Sequence, residues 1–225
     1  MVTVVGNGGG EFTVEQQTFL IKHVRALAIS HRRDGTNDEN TVGPLLKAEL
    51  EHGLEEAEKL GLRGIHCGGA FVTYKEQPGN KMRGCIGEFF PEDEMFLIIQ
   101  HRAISALYDD RFVPMSLEEL ETPGHVNVRI SVLSDLELIP DGIRGDALIA
   151  MITPGVHGIF VHEKNGKRGG TYLPQVCLQE GWTVPQFLTE TAVNKAGIPT
   201  KDPLNDMNLM WMRYTATVIT ENVSC

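Results

Sequence analysis

Apolar residues recur at helical spacing over three long stretches of the chain and alternate with polar ones over several shorter stretches. The first helical stretch opens at Thr13, which with Gln16 has the spacing of a capping box. Leu20, Val24 and Leu27 follow on one face, with Ile21 and Ala28 beside them. Residues 31–41 are polar and turn-rich and read as a loop. A second helix is expected over 43–60, with Leu46, Leu50, Leu54 and Ala57 as its apolar stripe and its glutamates on a solvated face. A third falls within 93–108, where Phe96, Ile99, Ala103 and Leu107 share a side.

Between and after these, the period changes to two. Residues 69–90 predict a β-hairpin, because Ala70 to Tyr74 are β-prone and Pro78-Gly79-Asn80 is turn chemistry. Val126, Val128, Ile130 and Val132 alternate with Asn127, Arg129 and Ser131, as in a half-buried strand. A second hairpin is expected over 156–173, around Asn165-Gly166. Residues 209–220 read as one final strand. Short helices are expected after Ser116, which with Glu119 forms a cap, over 146–152, and from Thr183 to the glycine stop at Ala196-Gly197. Such an order lacks the steady strand–helix alternation of a parallel sheet. It predicts an α+β fold, mainly an antiparallel sheet with packed helices. Residues 1–12, ending in Gly6-Asn7-Gly8-Gly9-Gly10, read as a flexible tail, since the strand, helix and spacing of a phosphate loop are missing. Residues 221–225 read as a second tail.

Composition narrows the partners. A length of 225 residues allows one large domain or two joined subdomains. The net charge of −10 disfavours nucleic acid, whose binders present a basic face. No apolar run approaches the ~20 residues of a membrane span. The four cysteines, Cys67, Cys85, Cys177 and Cys225, are far apart and form no Cys-x-x-Cys pair. Without a secretion signal they read as reduced cytosolic thiols. His66 and Cys67 are adjacent and would point to opposite faces of a strand, so no metal site is expected, and no cofactor motif is present.

Candidate chemistry centres on Arg83-Gly84-Cys85-Ile86-Gly87. Cys85 reads either as a nucleophile, redox thiol or metal ligand, activated by Arg83 and a histidine from elsewhere, or as a small core residue. Gly84 and Gly87 would open the backbone to a ligand or to a packed neighbour. His157, before Gly158, has the chemistry of a general base or of a backbone hydrogen-bonding group. Asp109-Asp110-Arg111-Phe112 follows the third helix; Asp110 and Arg111 would bind a ligand, or an ion pair there would simply lock a helix end. In Tyr172-Leu173-Pro174-Gln175-Val176, Pro174 would end a strand, and Gln175 would face solvent or a cleft.

Taken together these motifs resemble the AMMECR domain family, whose hallmark is the Arg83–Gly87 pentapeptide. Asp110-Arg111-Phe112 with Pro114, Ile130-Ser131-Val132-Leu133, Gly155-Val156-His157-Gly158, Tyr172–Val176, Gly181-Trp182 and Lys195-Ala196-Gly197 follow in the family's order. The similarity spans about residues 13–220 as a single AMMECR-like domain. The charged stretch before Gly69 departs from the pattern, as does Met82, where leucine is more usual. The resemblance implies two intimately packed subdomains, one of them joining the N- and C-terminal segments. It also implies a cytosolic or nuclear protein in eukaryotes and a biochemical activity that is unsettled. Prokaryotic relatives are often encoded near, or fused to, MEMO-like and radical-SAM proteins. Two functions follow as expectations. One is binding of a small molecule or protein partner in a cleft beside the motif, with Arg83, Gly84, Gly87, Asp110, Arg111 and Gln175 as contributors. The other is a cysteine enzyme using Cys85 with His157 as base. In either case Arg83, Cys85, Asp110, Arg111 and His157 are expected around one concavity.

Overall fold

Helix α1 (Val14–Arg33) begins where its capping box predicts: Thr13 Oγ1 accepts from the Gln16 N–H at 3.1 Å, and Gln16 Oε1 accepts from the Thr13 N–H at 2.9 Å. In this computed structural model, which describes residues 2–5 and 12–221, the apolar face of α1 is fully buried at Leu20, Val24, Leu27 and Ala28. Helix α2 (Pro44–Lys59) starts at Gly43, which has no side chain to cap it. The Asp34 carboxylate, just past α1, takes the cap instead, accepting from Leu45 N–H at 3.0 Å and Leu46 N–H at 2.8 Å. The end of one helix therefore sets the start of the next.

The nine strands among the described residues form two sheets, and every strand pairing described is antiparallel. Together with the helices this is the expected α+β fold. The five-stranded sheet has the order β1 (Val2–Val5), β9 (Ala216–Glu221), β4 (Val126–Leu133), β2 (Gly69–Glu76), β3 (Lys81–Phe89). The four-stranded sheet has the order β5 (Glu137–Leu138), β8 (Leu209–Tyr214), β6 (Gly158–Glu163), β7 (Gly169–Tyr172). Both predicted hairpins form, as β2–β3 and β6–β7. The chain divides accordingly into a first unit of residues 2–5, 12–132 and 217–221 and a second unit of 133–216. The tail expected over 1–12 lies mostly outside the described residues; within it, Val2–Val5 pair with β9. At the other end Glu221 closes β9, and residues 222–225 lie outside the described set. No helix among the described residues is long and apolar enough to cross a membrane.

Each unit has its own core. In the first, α1, helix α3 (Met95–Ser105) and the 3-10 turn Ala106–Tyr108 cover one face of the sheet, burying Ala70, Val72 and Tyr74 of β2 with Val126, Val128, Ile130 and Val132 of β4. In the second, Trp211, Ile159 and Val161 pack with Phe187, Leu188 and Ala192. There helix α7 (Val184–Glu190), which follows the short helices α4 (Leu117–Glu121), α5 (Gly145–Ala150) and α6 (Pro174–Gln179) in the chain, runs into a π-helical turn, Thr191–Lys195, and stops at Gly197, whose φ is +65°.

Three local readings change. The strand expected over 209–220 is two strands: β8 ends at Tyr214, Thr215 intervenes, and β9 returns the chain to the first unit. Strict alternation of burial is lost there: after Leu209 and Trp211, buried residues are Tyr214, Ala216, Thr217 and Ile219, on both parities. Pro174 does end β7, but it also occupies the first turn of a helix, α6 (Pro174–Gln179), where its missing N–H costs nothing. The short strand β5 had no periodicity long enough to read.

Within α1, the buried imidazole of His23 bonds Glu49 through Nδ1 at 3.0 Å and Gln100 through Nε2 at 3.0 Å, and stacks against both Phe19 and Phe96, which also stack on each other. A Cβ on Gly53 of α2 would overlap that ring. In an ordinary helix interior, glycine to alanine stabilises by about 1 kcal/mol. Here Gly53→Ala is expected to reverse the sign and cost roughly 1–3 kcal/mol by overpacking. Urea denaturation of the two proteins measures this, and a more stable variant would refute the packing assigned to His23.

Candidate functional site

The motif lies on β3, an outer strand of the five-stranded sheet, paired with β2 so that Cys85 stands opposite Thr73 and Gly84 opposite Tyr74. Between the Tyr74–Gly84 and Lys75–Met82 pairs the register slips, leaving Arg83 as the extra residue of a bulge. A Cβ on Gly84 would collide with the Ala106 carbonyl oxygen, and one on Gly87 with the Phe71 ring. Both glycines therefore serve close packing, one on each face of the strand.

Because β3 is an edge, the outward N–H and C=O of Cys85 have no strand to pair with. Side chains replace it. The Asp109 carboxylate, almost wholly shielded from water, accepts from the Cys85 N–H at 2.8 Å. The Arg111 guanidinium donates to the Cys85 carbonyl at 3.0 Å and grips Asp109 at 2.8 and 2.6 Å. Arg111 holds the Asp109 carboxyl below the usual carboxylate range; burial opposes the shift, and the Cys85 N–H supports it. The arrangement fixes Cys85 at its backbone while leaving its side chain half-buried, with Thr73 Oγ1 donating to Sγ at 3.2 Å.

Alternation decides what else shares that side. The core takes Val72 and Tyr74 of β2 and Val128 and Ile130 of β4, so Thr73, Lys75, Asn127, Arg129 and Ser131 project from the opposite face, with Cys85. Lys75 and Arg129 are both half-buried there. The sequence reading passed over Lys75 and took Arg129 only as the polar phase of a strand. Adjacency of β4 to β2 is a long-range fact that no local pattern carries.

The other expected residues make their own contacts. Arg83 does not face the thiol: it donates to the Val113 carbonyl at 3.1 Å and pairs with Glu119 at 2.6 Å. Asp110 is exposed, and its neighbour Asp109 makes the interactions. The expected ion pair at the end of the third helix is therefore Asp109–Arg111. Gln175, in the first turn of α6, and His157 belong to the second unit. His157 lines a pocket of about 360 Å³ with Ser134, Asp135, Glu137, Arg213, Tyr214 and Thr215. Its Nδ1 accepts from the Thr153 N–H at 3.0 Å, so the neutral ring carries its proton on Nε2. Burial, then Arg213, pushes its pKa down, with Glu137 opposing. Among the described residues no group of three or more His, Cys, Asp or Glu side chains is gathered to hold a metal ion.

The AMMECR1 family model matches residues 25–219. A protein of Methanopyrus kandleri, MK0488, is 31% identical over 198 residues, covering 85% of this chain and 82% of its own. A protein of Aeropyrum pernix is 35% identical over 157 residues, covering 67% of this chain; the match spans 63% of that protein's length. The crystal structure of PH0010 from Pyrococcus horikoshii, described as an uncharacterized protein, superposes with a TM-score of 0.71 at 27% identity, over 94% of each chain.

The clamp on Cys85 makes a pH-dependent prediction. Asp109→Asn removes the charge that Arg111 and the Cys85 N–H face and is expected to cost about 2 kcal/mol or more at pH 7. Because the folded-state pKa of Asp109 is depressed, its contribution is complete above the ordinary carboxylate value of ~4 and is lost as pH falls through the lower folded value. Urea midpoints of the two proteins should therefore differ at pH 7, begin to converge as pH falls below about 4, and meet only below the depressed folded-state value. A gap that is constant with pH would refute the assignment.

Proposed function

The chain belongs to the AMMECR1 family, and from that premise we propose that it binds a small ligand on the polar face of the first unit's sheet, beside the Arg83–Gly87 motif. One observation carries the reading: Cys85 is immobilised through its backbone by Asp109 and Arg111 while its thiol is left half-buried. A side chain held this way is presented in a fixed position, as recognition sites require. Thr73 orients the sulfur, and Lys75 and Arg129 supply polar contacts alongside. Asp109, Arg111 and Arg83 are positioning residues, since each acts on the strand that carries the thiol. A reduced thiol in such a site fits residence in the cytosol or nucleus.

The alternative, Cys85 as a nucleophile with His157 as its base, asks the imidazole to accept a proton at Nε2. The hydrogen bond from Thr153 to Nδ1 favours the opposite tautomer, in which Nε2 is a donor. Binding is therefore the better-supported function.

Amide NMR of the isotopically labelled chain tests it. Titration with a panel of small polar metabolites is expected to yield at least one binder whose shifts centre on Thr73, Lys75, Cys85 and Arg129. If no compound binds, or if the binders shift only the residues around His157, the proposal fails.

A further inference from the structure

We propose that the group held on this face is a small oxyanion, a phosphate or carboxylate, seated between Lys75 and Arg129 next to the Cys85 thiol. The inference rests on the binding function above and names its ligand class.

The argument begins with how the first unit treats its half-buried cations. Arg25 pairs with Glu221, Arg63 with Glu94, Arg83 with Glu119 and Arg102 with Glu88. Arg32 lies 4.7 Å over the Tyr108 ring. Lys75 and Arg129 differ. Among the described residues neither has a carboxylate within ion-pair distance or an aromatic ring beneath it, and the Arg129 Nε is buried with no hydrogen-bond partner. Withdrawing a charge from water without compensation is costly, so buried charges are normally paired.

Topology places the two on the same face of neighbouring strands. Lys75 is two residues from Thr73 on β2 and so shares its side, Thr73 stands opposite Cys85, and Arg129 projects from the same side of the neighbouring strand β4. Electrostatics agree: burial lowers the pKa of Lys75, and Arg129 lowers it further. Burial likewise lowers that of Arg129, while Cys85 acts in the raising direction on both. Two cations that repel one another and lack a counter-charge are the complement of an anion. A guanidinium fork matches the two oxygens of a carboxylate or phosphate, and the ammonium adds a point charge.

The adjoining thiol reports on that charge. Full-length protein is alkylated with iodoacetate, which carries a carboxylate, and separately with neutral iodoacetamide. In both reactions sulfur displaces iodide, and the extent of reaction at Cys85 is read by peptide mass spectrometry. The ratio of the iodoacetate rate to the iodoacetamide rate at Cys85 is expected to exceed that of a neutral model thiol by about tenfold. It should fall with added sodium chloride in the unaltered protein, which needs no variant to fold. Lys75→Gln and Arg129→Gln should each reduce it, and Lys75→Arg should preserve it. Inorganic phosphate and acetate, added as competitors, distinguish the two oxyanions by which one abolishes the preference at lower concentration. A ratio equal to the model thiol's, with ready labelling by iodoacetamide, overturns the oxyanion inference and leaves the binding function standing. So does a preference that survives both glutamine variants. If neither reagent reaches Cys85 in the native protein, both fall.

Discussion

An outer strand must find partners for backbone groups that no neighbouring strand will take, and the first unit meets this requirement at Cys85 with two side chains. Much else follows from that one constraint. For Asp109 to reach the Cys85 N–H, the 3-10 turn after α3 must come down against β3. It can do so only where the strand has no Cβ, at Gly84, beneath the Ala106 carbonyl. For Arg111 to reach the Cys85 carbonyl, the chain must turn outward immediately after Asp109, which leaves Asp110 in solvent. Further along, the bulge sends Arg83 away from the thiol toward Glu119, whose own position is set by the Ser116 cap. Burial pulls the Glu119 carboxyl upward, but the Ser116 N–H and Arg83 outweigh it and hold it below its ordinary value. The pentapeptide is thus a statement about how an edge strand is closed before it is a statement about chemistry.

The parts of the fold that were legible in advance are those whose signals are local. Thr13 and Gln16, Ser116 and Glu119, and Thr183 with its own Gln186 each mark a helix start within four residues. Pro78-Gly79-Asn80 marks a turn as clearly, with Gly79 at φ +109° and Asn80 at φ +57°. The illegible parts depend on partners remote in sequence. Nothing local separates Asp109 from Asp110, since both are acidic and adjacent, and only the exit of the 3-10 turn makes one buried and the other exposed. Likewise the glycines of the motif were consistent with a ligand or with a neighbour until Ala106 and Phe71 were found against them.

Charge shows the same difference between local and global information. A net charge of −10 averages over the chain and speaks against binding a polyanion. It says nothing about two cations on adjacent strands. Lys75 and Arg129 are 54 positions apart in sequence and come to one face only through the order in which β2 and β4 join the sheet. An acidic protein can therefore carry a cationic pair without any basic run in its sequence.

The strand order also governs how the chain can be assembled. Strand β9 lies in the interior of the five-stranded sheet, between β1 and β4, yet it is made after the other eight described strands. The whole second unit, residues 133–216, is translated between β4 and β9. On a ribosome the second unit has all its residues first, while the sheet bearing the Cys85 clamp waits, one interior strand short, until β9 follows. The pairing of β9 with β4 closes a loop of more than eighty residues, the kind of distant contact that slows folding.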